Sequence, residues 1–118
     1  MAKVLAFSAI AEFATGLALM VSPAKVIALL LATDASPPVG RVAGIALLAL
    51  ALACWPSKGP SNAAFRGLLT YNMLVAAYLA LLGVGEHLGG PLLWPAVALH
   101  AAVAGALLFY RKAAAPAQ

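Results

Sequence analysis

Charged side chains are scarce in this chain of 118 residues: they make up 8% of it, and only three of them are acidic. A soluble domain carries about 25% charged residues, so the composition excludes an ordinary soluble globular protein. The seven basic residues give a formal net charge of +4, but they are not clustered with aromatic residues between them. We therefore do not expect nucleic acid to be a partner.

Cysteine and catalytic motifs are also scarce. The single cysteine, Cys54, cannot form an intramolecular disulfide, and no CxxC or Cys/His cluster indicates a structural zinc site. The sequence has no nucleophile elbow, HExxH, P-loop or GxGxxG motif. It therefore gives no support for an enzyme of the soluble type.

Long apolar runs dominate instead, since 65% of the residues are hydrophobic. About 20 helical residues cross a hydrocarbon layer of about 30 Å, and backbone groups in lipid must bond within their own helix or in a closed barrel. The runs lack the alternating pattern of barrel strands. We therefore predict an all-α integral membrane protein, a single domain of four spans at residues 4–21, 39–55, 63–84 and 92–110.

The connections between these spans are short, which favours an up-down-up-down four-helix bundle. Ser22 and Pro23 fit the N-cap and first position of a short interfacial helix over residues 23–32; the alternative is one Pro-kinked helix that continues to Leu31. The first run also resembles a secretory signal, but Glu12 in its middle and three further spans favour a retained helix.

The basic residues predict the orientation of the bundle. Five fall on one side of the membrane and two on the other, so the positive-inside rule favours both termini in the cytoplasm. The five are Lys3, Lys58, Arg66, Arg111 and Lys112; Lys25 and Arg41 share the other side with Asp34 and Glu86. Trp55, Trp94 and Tyr110 lie at predicted span ends, as aromatic residues of the headgroup layer do.

The first span contains a carboxyl group near its centre. Residues three and four apart share a helix face, so Ser8, Glu12, Thr15 and Gly16 form one stripe of polar and small residues. A charged acid at the bilayer centre costs about 2.5 to 3.5 kcal/mol on insertion scales. Glu12 is therefore expected to face the bundle interior or a partner chain, as a neutral acid or in a hydrogen-bonded pair.

Depth counting brings together polar residues from three spans. Glu12, Asn72 and His100 each lie near the middle of their span, and His100 is the expected partner of Glu12. Tyr71 and Tyr78 share a face of the third span. The group is a candidate for binding a small molecule or a proton, and the alternative is that it only holds the helices together. Haem or metal at His100 would need ligands for which the spacing gives no indication, so no cofactor is expected.

Small residues recur at helical spacing. Gly40 and Gly44 form a GxxxG pattern in the second span, and Ala101 and Gly105 repeat the spacing in the fourth. Such pairs allow close helix packing, either within the bundle or between copies in a homo-oligomer.

Two resemblances accompany these patterns. "AEFATGLALM", residues 11–20, resembles the first helix of the small multidrug resistance transporters; that resemblance implies a proton- and substrate-binding role for Glu12 in a four-span dimer. The third span lacks that family's conspicuous Trp and its Gly-rich pattern.

The chain as a whole resembles small bacterial four-span membrane proteins of the broad DoxX-like type. The resemblance lies in "E..TGLAL...P" at 12–23, "GRVAGIALLALALACW" at 40–55, "YN" at 71–72 and "LLWPAVALHAAVA" at 92–104. It implies a location in a bacterial inner membrane and no specific activity. The sequence leaves two hypotheses: a binding or transport protein with a buried polar site, and a structural or accessory subunit that docks on itself or on a larger membrane complex.

Overall fold

The computed structural model of the protein describes residues 1–34, 36–55 and 62–113, with side chains as far as Arg111. Helices account for 86% of the described residues, and none of these residues forms a strand. The helices are α1 (Ala2–Val21), α2 (Pro23–Leu31), α3 (Pro37–Ala53), α4 (Asn62–Gly85) and α5 (Leu93–Ala113). Lys58 and the side chain of Lys112, both used for the predicted orientation, lie outside this description.

Three helices are long and apolar enough to cross a membrane: α1, α4 and α5. The predicted second span corresponds to α3, an apolar helix of 17 residues. Helix α2 begins at Pro23, directly after Ser22 as the sequence predicts, and ends at Leu31. The described part of the chain is therefore all-helical, and its three long apolar helices indicate a membrane protein.

The helices pack mainly as two pairs, α1 with α3 and α4 with α5. Gly16 and Gly44 make the first pair possible: a Cβ atom on Gly16 would approach the Gly44 carbonyl oxygen to 2.9 Å, and one on Gly44 would approach the Gly16 carbonyl oxygen to 2.8 Å. Gly40 faces Pro23 of α2 in the same way, at 2.6 Å. The GxxxG pattern of α3 therefore packs inside the molecule.

Two apolar clusters lie along the bundle, and the first of them joins the two helix pairs. One connects the start of α1 and the end of α3 with α4 and α5, through Leu5, Cys54, Ala64, Phe65, Leu68, Val103 and Leu107. The other connects the end of α4 with the start of α5, through Leu79, Leu82 and Leu93, and Leu30 and Leu31 of α2 pack against it. Along α4 and α5 these two clusters leave one turn between them, which includes residues 71, 72 and 100.

The loop after α4 fixes the end of α2. The N–H of Gly90 donates to the carbonyl oxygen of Leu30 at 3.1 Å, and the N–H of Leu92 donates to that of Leu29 at 2.9 Å. These bonds satisfy carbonyl groups that a helix end leaves without an intrahelical partner. A Cβ atom on Gly90 would overlap the Leu29 carbonyl, so this close approach requires glycine.

Candidate functional site

A cluster of polar side chains occupies the turn between the two apolar clusters. We refer to Ser8, Glu12, Tyr71, Asn72 and His100 together as the polar cluster. It draws on α1, α4 and α5 and therefore lies where the two helix pairs meet. Ser8, Glu12 and Asn72 are at most 3% exposed, and Tyr71 and His100 are half-buried.

Asn72 is the centre of the hydrogen bonds in this cluster. Its Nδ2 donates to the carbonyl oxygen of Leu68 at 2.8 Å, one turn earlier in α4, and to Oγ of Ser8 on α1 at 3.2 Å. Its Oδ1 lies 2.8 Å from Nδ1 of His100 on α5. One amide therefore connects three helices, and both its N–H donors and its oxygen are in use.

These contacts also determine the tautomer of His100. A backbone carbonyl can only accept, so the Leu68 contact requires the Asn72 nitrogen on that side and places the amide oxygen toward His100. The amide oxygen is likewise an acceptor only, so Nδ1 of His100 must carry the proton. Nε2 of a neutral His100 is then left with its lone pair.

Tyr71 is the polar neighbour of Glu12. The Tyr71 hydroxyl lies near the Glu12 carboxyl group, and the rings of Tyr71 and His100 form a T-shaped contact with centroids 5.7 Å apart. The sequence predicts His100 as the partner of Glu12; the structure instead joins His100 to Asn72 and gives Glu12 the neighbouring Tyr71. The adjacent residues Tyr71 and Asn72 on α4 therefore contact different partners, Glu12 and His100.

The structure separates the other predicted site residues from this cluster. Thr15 is exposed and its hydroxyl donates to the carbonyl oxygen of Ala11 at 2.9 Å, within its own helix. Tyr78 is 63% exposed on α4. Thr15 is three positions after Glu12, and Tyr78 is seven after Tyr71, so the spacing suggested a common face for each pair. The buried face of α1 runs through Ser8, Glu12 and Gly16, and Thr15 lies beside it.

The predicted packing residues also divide. Gly40 and Gly44 are buried between helices, whereas Ala101 is exposed and a Cβ atom on Gly105 would meet no atom within 4 Å. The equal spacing of the two pairs gave no indication of this difference, because a helix shows the same pattern whether or not a neighbour covers it.

The centre of the polar cluster is buried, whereas Tyr71 and His100 at its border are partly exposed. Within the described ranges every buried side-chain nitrogen or oxygen has a hydrogen-bond partner. Two pockets lie elsewhere: one of about 380 Å³ is lined by Met1, Asn62, Phe65, Arg66 and Arg111, and one of about 300 Å³ by Lys3, Val4, Phe7, Leu99, Ala102, Val103 and Ala106. Sequence reasoning interpreted these arginines only as markers of orientation and did not predict a pocket.

The described residues contain no group of three or more His, Cys, Asp or Glu side chains that could hold a metal ion. Comparisons with protein-family models, with curated proteins and with solved structures gave no match. The function of the site is therefore argued from its own residues alone.

Proposed function

We propose that the protein is a four-span protein of the bacterial inner membrane that binds a proton at Glu12 and links this binding to transport. The observation that carries the proposal is a carboxyl side chain, 3% exposed, at the meeting of two helix pairs. An ionisable group inside a membrane helix is costly to bury, and such groups commonly mark proton or substrate pathways. Both resemblances, to small multidrug resistance transporters and to DoxX-like proteins, agree with a protein of this size and architecture.

The helix contacts support an up-down-up-down order of four spans. Leu5 and Cys54 share one cluster, and Gly16 faces Gly44, so α3 runs antiparallel to α1. At about 1.5 Å per residue, the 17 residues of α3 reach about 25 Å, which is near the lower limit for a membrane span. Helix α2 then lies at the membrane surface, as its position between two spans predicts.

The burial of Glu12 and its neighbours Ser8 and Asn72 favours a proton over a larger ligand. Asn72 has no unused hydrogen-bonding group, and Ser8, Glu12 and Asn72 are almost completely buried. Neither of the two pockets includes any of these residues. A proton needs no additional volume, whereas a small molecule would have to separate the helices first.

Loss of the proton would change the contact between the pairs. A neutral Glu12 can remain among apolar neighbours, but a carboxylate there pays a large desolvation penalty. The nearby Tyr71 hydroxyl can donate one hydrogen bond to a Glu12 carboxylate, and further stabilisation requires water. We therefore expect the charged state to favour a wetter arrangement in which α1 moves relative to α4, and this movement would couple proton binding to a second event.

Infrared spectroscopy of the protein in liposomes tests proton binding directly. At neutral pH the wild-type protein should show the C=O stretching band of a protonated carboxylic acid, and Glu12→Gln should lack it, because hydrocarbon favours the neutral acid. Glu86→Gln, which changes an exposed carboxyl group, is the matched control and should retain the band. A band that persists unchanged in Glu12→Gln would contradict the proposal.

Transport is measured separately, with a pH-sensitive dye inside the same liposomes. Wild-type protein and Glu86→Gln should accelerate the decay of an imposed pH gradient. With Glu12→Gln the gradient should decay no faster than in empty liposomes. If Glu12→Gln loses the infrared band but the wild-type protein carries no protons, Glu12 is a proton-binding group without a transport role.

A second candidate function is that of an assembly subunit, favoured by the exposed Ala101 and Gly105 on α5. Such a pair allows close approach of another helix. Gly105→Leu should then abolish cross-linked oligomers in detergent, while Ala77→Leu, at an exposed position of α4, should not. Gly44→Leu is unsuitable as this probe because Gly44 packs inside the molecule. A wild-type protein that is monomeric throughout would exclude self-assembly.

A further inference from the structure

The pocket of about 380 Å³ carries two positive charges at one end of the helix bundle. Its lining includes Arg66 near the start of α4 and Arg111 near the end of α5, together with Asn62, and no carboxylate is among the described residues that line it. The N-terminus of α4, which begins at Asn62, adds the partial positive charge of the helix dipole. The pocket therefore favours an anion.

The two arginines differ in how they are held. The guanidinium carbon of Arg111 lies 5.5 Å from the centre of the Phe65 ring, and Phe65 is buried, so a cation–π contact orients this guanidinium. Arg66 follows Phe65 in α4 and lies one turn after Asn62. Planar guanidinium groups bind phosphate oxygens through paired N–H donors, and two of them in one pocket suit a phosphate, with its several acceptor oxygens, better than a simple carboxylate.

An apolar groove lies beside the same helix ends. It runs between α1 and α5 and is lined by Val4 and Phe7 on one side and by Leu99, Ala102 and Ala106 on the other. Lys3 stands at its border. Because α5 continues from this groove to Arg111, a molecule with a phosphate and a hydrocarbon chain could contact both features.

We propose that Arg66 and Arg111 bind the phosphate of an anionic phospholipid headgroup, with an acyl chain in the groove between α1 and α5. Basic pockets at the ends of membrane helices are suited to anionic headgroups. The groove favours a lipid over free phosphate, because free phosphate would make no use of an apolar surface. This inference is independent of proton binding at Glu12.

Native mass spectrometry of the full chain, titrated with phosphatidylglycerol in detergent, tests the proposal. A basic residue near an anionic lipid surface contributes about 1 kcal/mol, about a fivefold change in affinity, so replacing both Arg66 and Arg111 by Gln should weaken binding by about 30-fold. Arg41→Gln, an exposed arginine on α3, is the matched control and should change binding less than twofold. Equal losses in the control and the double variant would overturn the proposal.

Two further arms distinguish the source of the phosphate. Phosphatidylcholine, which has a phosphate but no net charge, should bind more weakly than phosphatidylglycerol, and inorganic phosphate should compete poorly. Ala102→Phe fills the groove and should weaken lipid binding while leaving the response to inorganic phosphate unchanged. Strong, arginine-dependent binding of inorganic phosphate without any preference for phosphatidylglycerol would show that the pocket takes free phosphate and would overturn the lipid assignment.

The folded state of each variant is checked by its circular dichroism and its elution in detergent. If the double variant does not fold, Arg66→Gln alone provides the test, because Arg66 is exposed and Arg111 keeps its contact with Phe65. That variant should bind phosphatidylglycerol about fivefold more weakly, and unchanged binding would overturn the role of Arg66.

Discussion

Among single residues, Asn72 has the largest structural role. It is 1% exposed and connects α1, α4 and α5 through three hydrogen bonds of 2.8 to 3.2 Å. Removing its amide would leave Ser8 and His100 without these partners inside an apolar environment. An unsatisfied buried polar group costs more free energy than its hydrogen bond contributes when formed.

We expect Asn72→Leu to lower the free energy of unfolding by about 1 to 3 kcal/mol, measured by SDS denaturation in mixed micelles. The estimate follows from about 0.6 to 2 kcal/mol for a polar contact within a membrane and from the cost of the groups left unpaired. Thr15→Val is the control: its hydroxyl is exposed and bonds within its own helix, so it should change stability by less than about 0.5 kcal/mol.

The same variant has a spectroscopic consequence. Nitrogen NMR of His100 in the wild-type protein should show the neutral tautomer with its proton on Nδ1, because Oδ1 of Asn72 can only accept. In Asn72→Leu this preference should be lost. A wild-type His100 with its proton on Nε2 would contradict the arrangement of the amide.

Among helices, glycine residues decide which pairs can approach closely. The contact between Gly16 and Gly44 brings the backbones of α1 and α3 together, whereas Gly105 on α5 faces open space. Identical small-residue spacings therefore have different effects in α3 and α5.

Alanine substitutions should separate these two cases. Gly44→Ala adds a methyl group where 2.8 Å is available to the Gly16 carbonyl oxygen, so we expect a loss of about 1 to 3 kcal/mol from overpacking. Gly105→Ala adds the same group without a neighbour and should stabilise the helix by about 0.5 to 1 kcal/mol. Unfolding of both variants in mixed micelles measures the difference, and equal effects would contradict the α1–α3 contact.

The connection between α4 and α5 contains two adjacent glycines, Gly89 and Gly90, that allow a second comparison. A Cβ atom on Gly90 would overlap the Leu29 carbonyl, whereas one on Gly89 would lie 3.8 Å from the Leu93 side chain. Gly90→Ala should therefore break the bonds to α2 and accelerate hydrogen exchange at the Leu92 N–H. Gly89→Ala should leave exchange at Leu92 unchanged, and an equal acceleration in both would contradict this role of Gly90.

At the scale of the whole molecule, the two helix pairs and the proposed four spans define which residues share a side of the membrane. Arg111 lines one pocket with Met1, and Arg66 lines it as well, so the start of α1, the start of α4 and the end of α5 meet. Asp34 follows the end of α2 and Glu86 follows the end of α4, so both lie at the other end of the bundle. The polar cluster lies between these two levels.

Cysteines introduced one at a time and labelled with a membrane-impermeant maleimide test this arrangement. In spheroplasts, Asp34→Cys and Glu86→Cys should be labelled from outside, and Lys3→Cys and Arg111→Cys should be labelled only after the membrane is opened. Wild-type protein is the control, since Cys54 is 5% exposed and should react slowly. Labelling of Lys3→Cys and Asp34→Cys from the same side would contradict a crossing by α1.

The sequence alone determined the helices and the common depth of their polar residues. Hydrogen bonds in a helix are local, so the lengths of the apolar runs predicted α1, α4 and α5. The rise per residue is constant, so position within each run predicted a common level for Glu12, Asn72 and His100. Pro23 predicted the start of α2 because proline fits the first helical turn.

The tertiary structure decided which of these residues meet. The rotation of a helix about its axis is set by packing against its neighbours, and periodicity within the helix does not contain that information. The tertiary structure therefore gave Tyr71 to Glu12 and Asn72 to His100, left Thr15 and Tyr78 exposed, and buried Gly44 but not Gly105. It also brought Arg66 and Arg111, 45 positions apart in the sequence, to one pocket.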